Sequence, residues 1–415
     1  MAAPSDTQAS SDRLQRILKD AHLWGAMVGI AMQPISTATG NIGFGIALAS
    51  ALPRLPAVKA ELASLLRQGW MRCLLAWLAW SWLSLVWSPD RVFGIEQFRA
   101  TRVLLWIPVL WPIRHAWRPL VWSILAGTTM MAIVQALQVV TGWPPAHFGP
   151  GSGLTTPTQT GLWAAVAMSF WLILVVSTSL GVALATLPAT TLAGLALVWS
   201  ATRASAIGLA VELVLANVVL ALTCRGWIGR AAVRCAVGLV ILAAAWAFAG
   251  AQLKTKMSQA LNETTQSLRG GHGITSEVRI AMWKGALENW RDRPIAGGGI
   301  GCVPSVMQRT TVQNERMDMR TVRMIHSTYV QTLVETGIIG LGLLLAFITL
   351  LLRDVLRGLQ GQPLLVASFG ALVVWLVASA FDGYQQSGGF LSVGAILIPL
   401  ALADVRSIAR TPAST

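Results

Sequence analysis

Apolar segments recur along the whole chain, separated by shorter polar ones. A helix needs about 20 apolar residues, with a range of about 17–25, to cross the roughly 30 Å hydrocarbon core of a bilayer. Most of the segments reach that length. The pattern predicts twelve transmembrane helices, at about residues 22–36, 40–53, 70–87, 97–113, 119–141, 161–178, 181–199, 204–223, 231–250, 326–352, 363–381 and 389–405.

The composition agrees with lipid as the main solvent of this surface. Hydrophobic residues make up 54% of the chain and charged residues 12%, whereas a soluble domain carries about 25% charged residues. The net charge of +14 would suggest nucleic acid as the partner of a soluble protein. Basic residues also collect in the cytoplasmic loops of membrane proteins, however, and we attribute most of the excess to that rule. The expected fold is therefore an all-α polytopic membrane protein.

The positions of the basic residues support the count, because they fall in every second loop. With the N-terminus inside, the predicted inner loops and the C-terminus hold Arg54, Lys59, Arg67, Arg72, Arg114, His115, Arg118, Arg225, Arg230, Arg234, Arg353, Arg357, Arg406 and Arg410. The short loops on the other side are nearly free of lysine and arginine. The alternation predicts that both termini are cytoplasmic.

Three regions follow from this topology. Residues 1–250 hold helices one to nine, residues 251–325 form one large polar loop on the non-cytoplasmic side, and residues 326–415 hold helices ten to twelve. The loop is long enough to carry structure of its own.

One helix is predicted inside the loop, at residues 277–293. Its large apolar residues recur at spacings of three and four and form one face, made of Ile280, Trp283, Leu287 and Trp290. A proline and a run of three glycines follow and end the helix. The face could lie in the membrane interface, but we favour packing against the helical bundle.

Four arginines lie on the outer side, where the topology rule does not place them: Arg99, Arg102, Arg203 and Arg279. Charge at the membrane surface usually faces a cavity or a partner. Any one of them could instead reach the lipid headgroups or pair with Glu96 or Glu277. As a set they are better explained by an anionic ligand, since guanidinium stays charged and binds phosphate in a bidentate way.

His326 begins the tenth predicted span, at the outer surface. A histidine there can act as a general base near neutral pH, although one that merely bonds the backbone is the commoner case. Metal binding is not expected, because Asp318 and Asp382 are isolated in the sequence and no metal-ligand spacing occurs. Glu212 lies in the middle of span eight and is expected to pair inside the bundle.

Three motifs occur in order. They are Thr202-Arg203-Ala204-Ser205 at the start of a span, Arg279-x-x-x-Trp283 followed by Pro294 and Gly297-Gly-Gly-Ile-Gly301, and His326-Ser-Thr-Tyr329 followed by Leu333-Val-Glu335-Thr-Gly337-Ile-Ile-Gly340. In this order they resemble the O-antigen ligase family of Gram-negative inner membranes, within the wider ligase/polymerase superfamily of GT-C-type glycosyltransferases. The family more often has Asn where this chain has Ser327.

The resemblance implies a metal-independent, inverting glycosyltransferase of the inner membrane, without a cofactor and with its active site on the periplasmic side. It would join a polysaccharide carried by undecaprenyl diphosphate to lipid A–core; membrane lipid would surround it, and nucleic acid would not be a partner. The family's essential residues map to His326, Arg203 and Arg279. Residues that would contact substrate are Arg99, Arg102, Trp283, Tyr329 and Glu335.

Two kinds of alternative remain open from the sequence. O-antigen polymerase and protein O-oligosaccharyltransferase would share the donor and differ in the acceptor. A lipid or polysaccharide transporter would explain the spans, but alternating access needs a site near the midplane, whereas the unexplained basic residues lie at the outer face. The sugars, the linkage and the oligomeric state are not determined by the sequence.

Overall fold

The computed structural model describes residues 6–145, 154–223, 227–248, 276–314, 317–359, 362–383 and 388–403, and in these ranges it is helical without β-strands. The helices are α1 (Asp6–Met32), α2 (Thr37–Ala51), α3 (Leu55–Arg67), α4 (Gly69–Leu83), α5 (Arg91–Arg99), α6 (Trp106–Leu110), α7 (Trp117–Thr141), α8 (Pro157–Ser177), α9 (Leu180–Ser200), α10 (Arg203–Thr223), α11 (Trp227–Phe248), α12 (Ser276–Trp290), α13 (Val303–Met307), α14 (Thr328–Gly358), α15 (Pro363–Ala378) and α16 (Gly388–Ala401). Short 3-10 helices join α2 to α3, extend α4, and link α5, α6 and α7.

Every predicted span coincides with helical structure. By length and apolar composition, six helical runs can cross a membrane: Thr37–Arg67, Arg91–Thr141, Pro157–Ser177, Leu180–Ser200, Arg203–Thr223 and Thr328–Gly358. α15 and α16 are also apolar but shorter. The protein is thus an all-helical polytopic membrane protein in its described part, while the count of twelve spans stays a prediction.

Helix α8 lies at the centre of the bundle. It packs against α7, α9, α10, α11 and α15, and its side chains from Thr160 to Leu174 are buried. Small residues let other helices approach closely: a Cβ at Gly43 of α2 would lie 2.4 Å from the backbone nitrogen of Gly29 in α1. Such contacts are typical of helix pairs in membranes, where close van der Waals packing drives association.

A buried ion pair joins α10 to α11. Arg234 donates to Glu212, and both side chains are fully buried. Arg234 also donates to Asn217 at 3.3 Å. The pairing expected for Glu212 is therefore confirmed. The assignment of Arg234 to an inner loop is wrong, because the helix begins at Trp227 and a charge inside the bundle is stabilised by its partner rather than by water.

The packed face of α12 differs from the predicted one. Val278 and Met282 are buried, with Ala281 and Ala286 beside them, whereas Ile280 is 47% exposed. Trp283 and Trp290 of the predicted face are partly buried and pack against the same core, so the prediction is right for those two residues. The prediction was based on the largest apolar side chains. The predicted face is therefore rotated about the helix axis, by part of a turn, relative to the face that packs.

The glycine-rich segment after α12 is wedged against a kink in α14. Gly337 has a φ of 69° inside that helix, and the backbone nitrogens of Gly298 and Gly299 donate to Val334 and Glu335 at 2.9 and 2.8 Å. Gly299 has a φ of 90° and a Cβ there would lie 2.6 Å from the Cα of Ser88. Only glycine fits such positions without strain. The wedge fixes the loop to α14 and to the end of α4.

We expect cysteines on the two faces to react differently with an impermeant maleimide added to intact cells. In a background without the four natural cysteines, Gln308→Cys should label, whereas Ala60→Cys and Ile228→Cys should label after permeabilisation alone; all three positions are exposed. The positive-inside pattern is the reason. Labelling of Ile228→Cys in intact cells would overturn the twelve-span topology.

The Glu212–Arg234 pair should stabilise the bundle as a pair. Either Glu212→Ala or Arg234→Ala leaves one charge buried without its partner, at a cost of about 3–5 kcal/mol. Thermal unfolding in detergent should show a larger loss for each single variant than for the double variant Glu212→Leu/Arg234→Met. Val214→Ala, at a position on α10 that is 63% exposed, is the control. A double variant less stable than both singles would contradict this account.

Candidate functional site

His326 lies at the junction between the loop and α14. Its φ is 51°, in the left-handed region that a non-glycine residue rarely adopts. The next residue, Ser327, is the N-cap of α14, and its hydroxyl accepts from the Val330 N–H at 3.4 Å. Backbone strain of this kind costs about 1–3 kcal/mol and tends to occur at functional sites. Ser327 therefore has a structural role as the N-cap, and His326 is held just before the N-terminus of α14.

Asp382 lies against the imidazole of His326. The distance from Nδ1 to Oδ1 is 3.4 Å, and both side chains are largely buried. Thr328 sets this contact, because its backbone nitrogen and its hydroxyl both donate to the backbone oxygen of Asp382, at 3.1 and 3.0 Å. The carboxylate also accepts from the N–H of Gly383 at 2.9 Å. With Nδ1 facing a carboxylate, the proton of a neutral imidazole belongs on Nδ1 and Nε2 is left as the base.

Arg279 is brought to this pair by α12. Its side chain is partly buried, and its Nε has no hydrogen-bond acceptor among the described residues. Burial lowers the pKa of the Arg279 guanidinium, the charge of Asp382 raises it, and the charge of Arg203 lowers it. The two arginines and the carboxylate are thus close enough to interact.

Arg203 is the first residue of α10 and is exposed. A left-handed residue, Ala201 with a φ of 52°, ends α9 two positions earlier. The hydroxyl of Thr202 donates to the backbone oxygen of Pro157 at 3.0 Å, which ties the turn to the start of α8. Ala201 and His326 are the non-glycine residues of the described chain with positive φ; Ala201 lies two positions before Arg203, and His326 is itself a candidate site residue.

Three other predicted site residues make hydrogen bonds that connect the segments around His326. Trp283 donates from Nε1 to the backbone oxygen of Ile325 at 3.0 Å, which fastens α12 to the residue before His326. Tyr329 donates its hydroxyl to Leu376 at 2.9 Å and so ties α14 to α15. Glu335 is fully buried and accepts from the N–H of Gly301 at 3.2 Å. Their contacts in this structure are therefore with the protein itself.

Arg99 and Arg102 lie apart from the cluster. Both are exposed, on the helical run that links α5 to α7. Arg102 lines a cleft of about 580 Å³ between the ends of several helices. Arg203, Arg279 and His326 do not line that cleft.

Asp382 is the residue of the cluster that the sequence reasoning missed. It was taken as isolated because no acid or histidine lies near it along the chain. Its position just after the eleventh span and His326 at the start of the tenth put both at the outer face. The shared face was the one indication in the sequence that Asp382 and His326 could be neighbours, but it does not specify that their side chains touch.

The cluster combines two guanidinium groups with an imidazole–carboxylate pair. Arginines beside a partly dry surface can stabilise a dianion such as a diphosphate. An imidazole oriented by a carboxylate can accept a proton from a hydroxyl. Within the described ranges no group of three or more His, Cys, Asp and Glu residues is placed to hold a metal ion.

A family model described as O-antigen ligase matches residues 188–345. No curated protein matches the chain. The matched range holds Arg203, Arg279 and His326, the three residues that the motifs pointed to, and it ends before Asp382. The resemblance inferred from the motifs is therefore confirmed: residues 188–345, which carry all three motifs, are similar to the O-antigen ligase family.

Proposed function

We propose that this protein is an O-antigen ligase, which transfers a polysaccharide from undecaprenyl diphosphate to lipid A–core at the periplasmic face of the inner membrane. The family match supports a ligase or polymerase type of function. The observation that supports the proposal most is electrostatic proximity. Arg279 interacts with the charges of Arg203 and Asp382, and Asp382 lies against His326. These groups come from α10, α12, the segment before α14 and the segment after α15.

The donor would be bound through its diphosphate. When the bond from the anomeric carbon to the diphosphate oxygen breaks, negative charge develops on that oxygen. Arg203 and Arg279 are preorganised cations that would stabilise this charge without a metal ion. Because a guanidinium presents a rigid fork of donors, each can hold a phosphate at two oxygens.

His326 would serve the acceptor. Its Nε2 takes the proton of the acceptor hydroxyl as the hydroxyl oxygen attacks the anomeric carbon from the face opposite the diphosphate. The new glycosidic bond has inverted configuration, and undecaprenyl diphosphate leaves. Asp382 keeps the imidazole in the tautomer that can accept this proton and stabilises the imidazolium that forms.

The choice of acceptor separates this proposal from its nearest alternatives. A polymerase would use a second lipid-linked repeat unit, and a protein O-oligosaccharyltransferase would use a protein hydroxyl. The purified protein should therefore be offered donor lipid with lipid A–core, with donor lipid alone, and with an acceptor protein, without nucleotides. Product with lipid A–core supports the ligase. Movement of lipid across sealed vesicles without product would favour a transporter and overturn the proposal.

Substitutions at the histidine and at the arginines should have different kinetic consequences. His326→Ala should lower single-turnover rate by about 10²–10⁴-fold with donor-lipid affinity retained, because the base acts on the acceptor. Arg203→Ala and Arg279→Ala should lower both affinity and rate, with a cost of about 1.5–3 kcal/mol for each charge-assisted contact. Lysine at either position should recover little.

The control for these variants is Lys284→Ala, an exposed residue on α12, and each variant needs an unchanged melting temperature. If folded His326→Ala keeps near wild-type turnover, His326 is not the base.

Asp382 should act through His326. Asp382→Asn should lower turnover by up to about 10⁴-fold, the cost known for replacing the carboxylate that holds a general-base histidine in its tautomer. Donor affinity should be retained or improved, because a negative charge near the diphosphate has been removed. Asp382→Glu should restore part of the rate. Equal loss of affinity, rate and thermal stability in Asp382→Asn would instead indicate a purely structural residue.

Activity should survive EDTA, since the arginines rather than a metal are proposed to stabilise the leaving group. The assay needs detergent-dispersed acceptor, because EDTA also removes cations from lipopolysaccharide. Loss of activity that magnesium or manganese restores would show that the arginine account is wrong.

A further inference from the structure

The cleft of about 580 Å³ that Arg102 lines has no role in the mechanism above. Its walls come from the ends of α1, α2, α8 and α16 and from the helical run that carries Arg102. The volume is within the range of about 300–1,000 Å³ that is usual for small-molecule sites, so a diphosphate with a sugar would fit.

The lining is positively polarised. Three helices of fourteen or more residues begin at this cleft: Ser36 and Thr37 at α2, Thr156 at α8, and Gly388 at α16 all line it. The first N–H groups of a helix have no acceptor within the helix, and they carry a partial positive charge. Phosphate groups bind readily at such ends.

Charged and buried polar side chains give independent indications of a ligand. Arg102 is exposed and lines the cleft, and no aspartate or glutamate is among the described residues that line it. Gln33 also lines it and is 2% exposed, yet its Nε2 donates to no described atom. A buried donor without an acceptor is costly, and a ligand in the cleft could supply the acceptor.

The remaining lining favours a sugar. Asn41 and Gln159 place amide side chains at the cleft, and Trp106 contributes an aromatic ring. Amides donate and accept hydrogen bonds in the way that hydroxyl groups need. An inorganic anion has no hydroxyl groups for these amide side chains and no ring for the indole, so a sugar phosphate uses more of the lining.

The cleft adjoins the proposed active site through the chain. Thr156 lines the cleft, and the next residue, Pro157, accepts the hydrogen bond from Thr202. Arg203 follows Thr202 directly. A group in the cleft is therefore held next to the arginine that would bind the donor diphosphate.

We propose that this cleft is a second anion-binding site, and that its ligand is the phosphorylated sugar of a lipid-linked glycan. Arg102 and the helix ends hold the phosphate, and Asn41 and Gln159 hold the sugar. The inference rests on the proposed function for the identity of the glycan, but the binding itself needs no reaction.

The test uses a probe that cannot react as a lipid donor, glucose 1-phosphate, with saturation-transfer NMR on protein in a detergent without a sugar headgroup. The protein carries Arg203→Gln and Arg279→Gln, so that the cluster no longer competes for phosphate. We expect the probe to bind this double variant more tightly than glucose or inorganic phosphate does. Adding Arg102→Gln should weaken binding about tenfold, and Asn41→Ala should also weaken it. Both side chains are exposed, so folding should be kept.

The control is Arg91→Gln, an exposed arginine on α5 outside the cleft lining, which should leave binding unchanged. No binding to the double variant, or equal binding with and without Arg102→Gln, would overturn the site. Displacement of the probe by phosphatidylglycerol as effectively as by undecaprenyl diphosphate-linked sugar would show a general lipid headgroup site and overturn the sugar assignment. If the wild-type protein forms no product with lipid A–core, the proposed function fails, and the binding result for the cleft still stands by itself.

Discussion

The two hydrogen bonds from Thr328 to the backbone oxygen of Asp382 are the contact on which the geometry of the cluster depends. They join the first residue of α14 to the segment that follows α15. Without them the carboxylate would have no reason to face His326, since the two residues are far apart along the chain. The backbone nitrogen of Thr328 lies at a helix start, where it has no acceptor within the helix, and it donates to the backbone oxygens of Asp382 and Ser379. The contact between Thr328 and Asp382 thus gives a backbone N–H its acceptor and also positions the carboxylate beside His326.

The packed segment between α12 and α14 holds Arg279 in position. Its small core includes Val278 and Met282 of α12 together with Ile325, the residue before His326. The wedge of glycines fixes that segment to the kink of α14, and the Trp283 indole fixes it to the histidine segment. A partly buried arginine needs this rigidity, because a cation that moves to solvent would no longer be preorganised for a developing charge.

The charges of the protein fall into two groups that behave differently. Arg234 lies inside the bundle and is neutralised by Glu212, so it contributes to the bundle and leaves no net field. In the predicted topology Arg203, Arg279 and Arg102 lie at the outer face, and there the charges of Asp382 and Arg203 both act on Arg279. An anionic, membrane-anchored substrate would be attracted to that face. The cleft beside Arg102 would extend the same field along the substrate.

The sequence by itself determined the helical, membrane-spanning class of the protein, because a run of apolar residues has one stable form in lipid. Motifs whose order is specific also pointed to the family whose model matches residues 188–345, and to Arg203, Arg279 and His326 as candidate site residues. Contacts between distant residues were decided by tertiary structure: Asp382 beside His326, Arg234 beside Glu212, and the helix ends around the cleft. The packed face of α12 was decided there too, since burial of Val278 and Met282 depends on which elements lie against the helix. Periodicity and composition indicate whether each residue faces lipid, water or protein. Contacts between distant residues depend on how whole helices pack, and the local sequence pattern does not specify that packing.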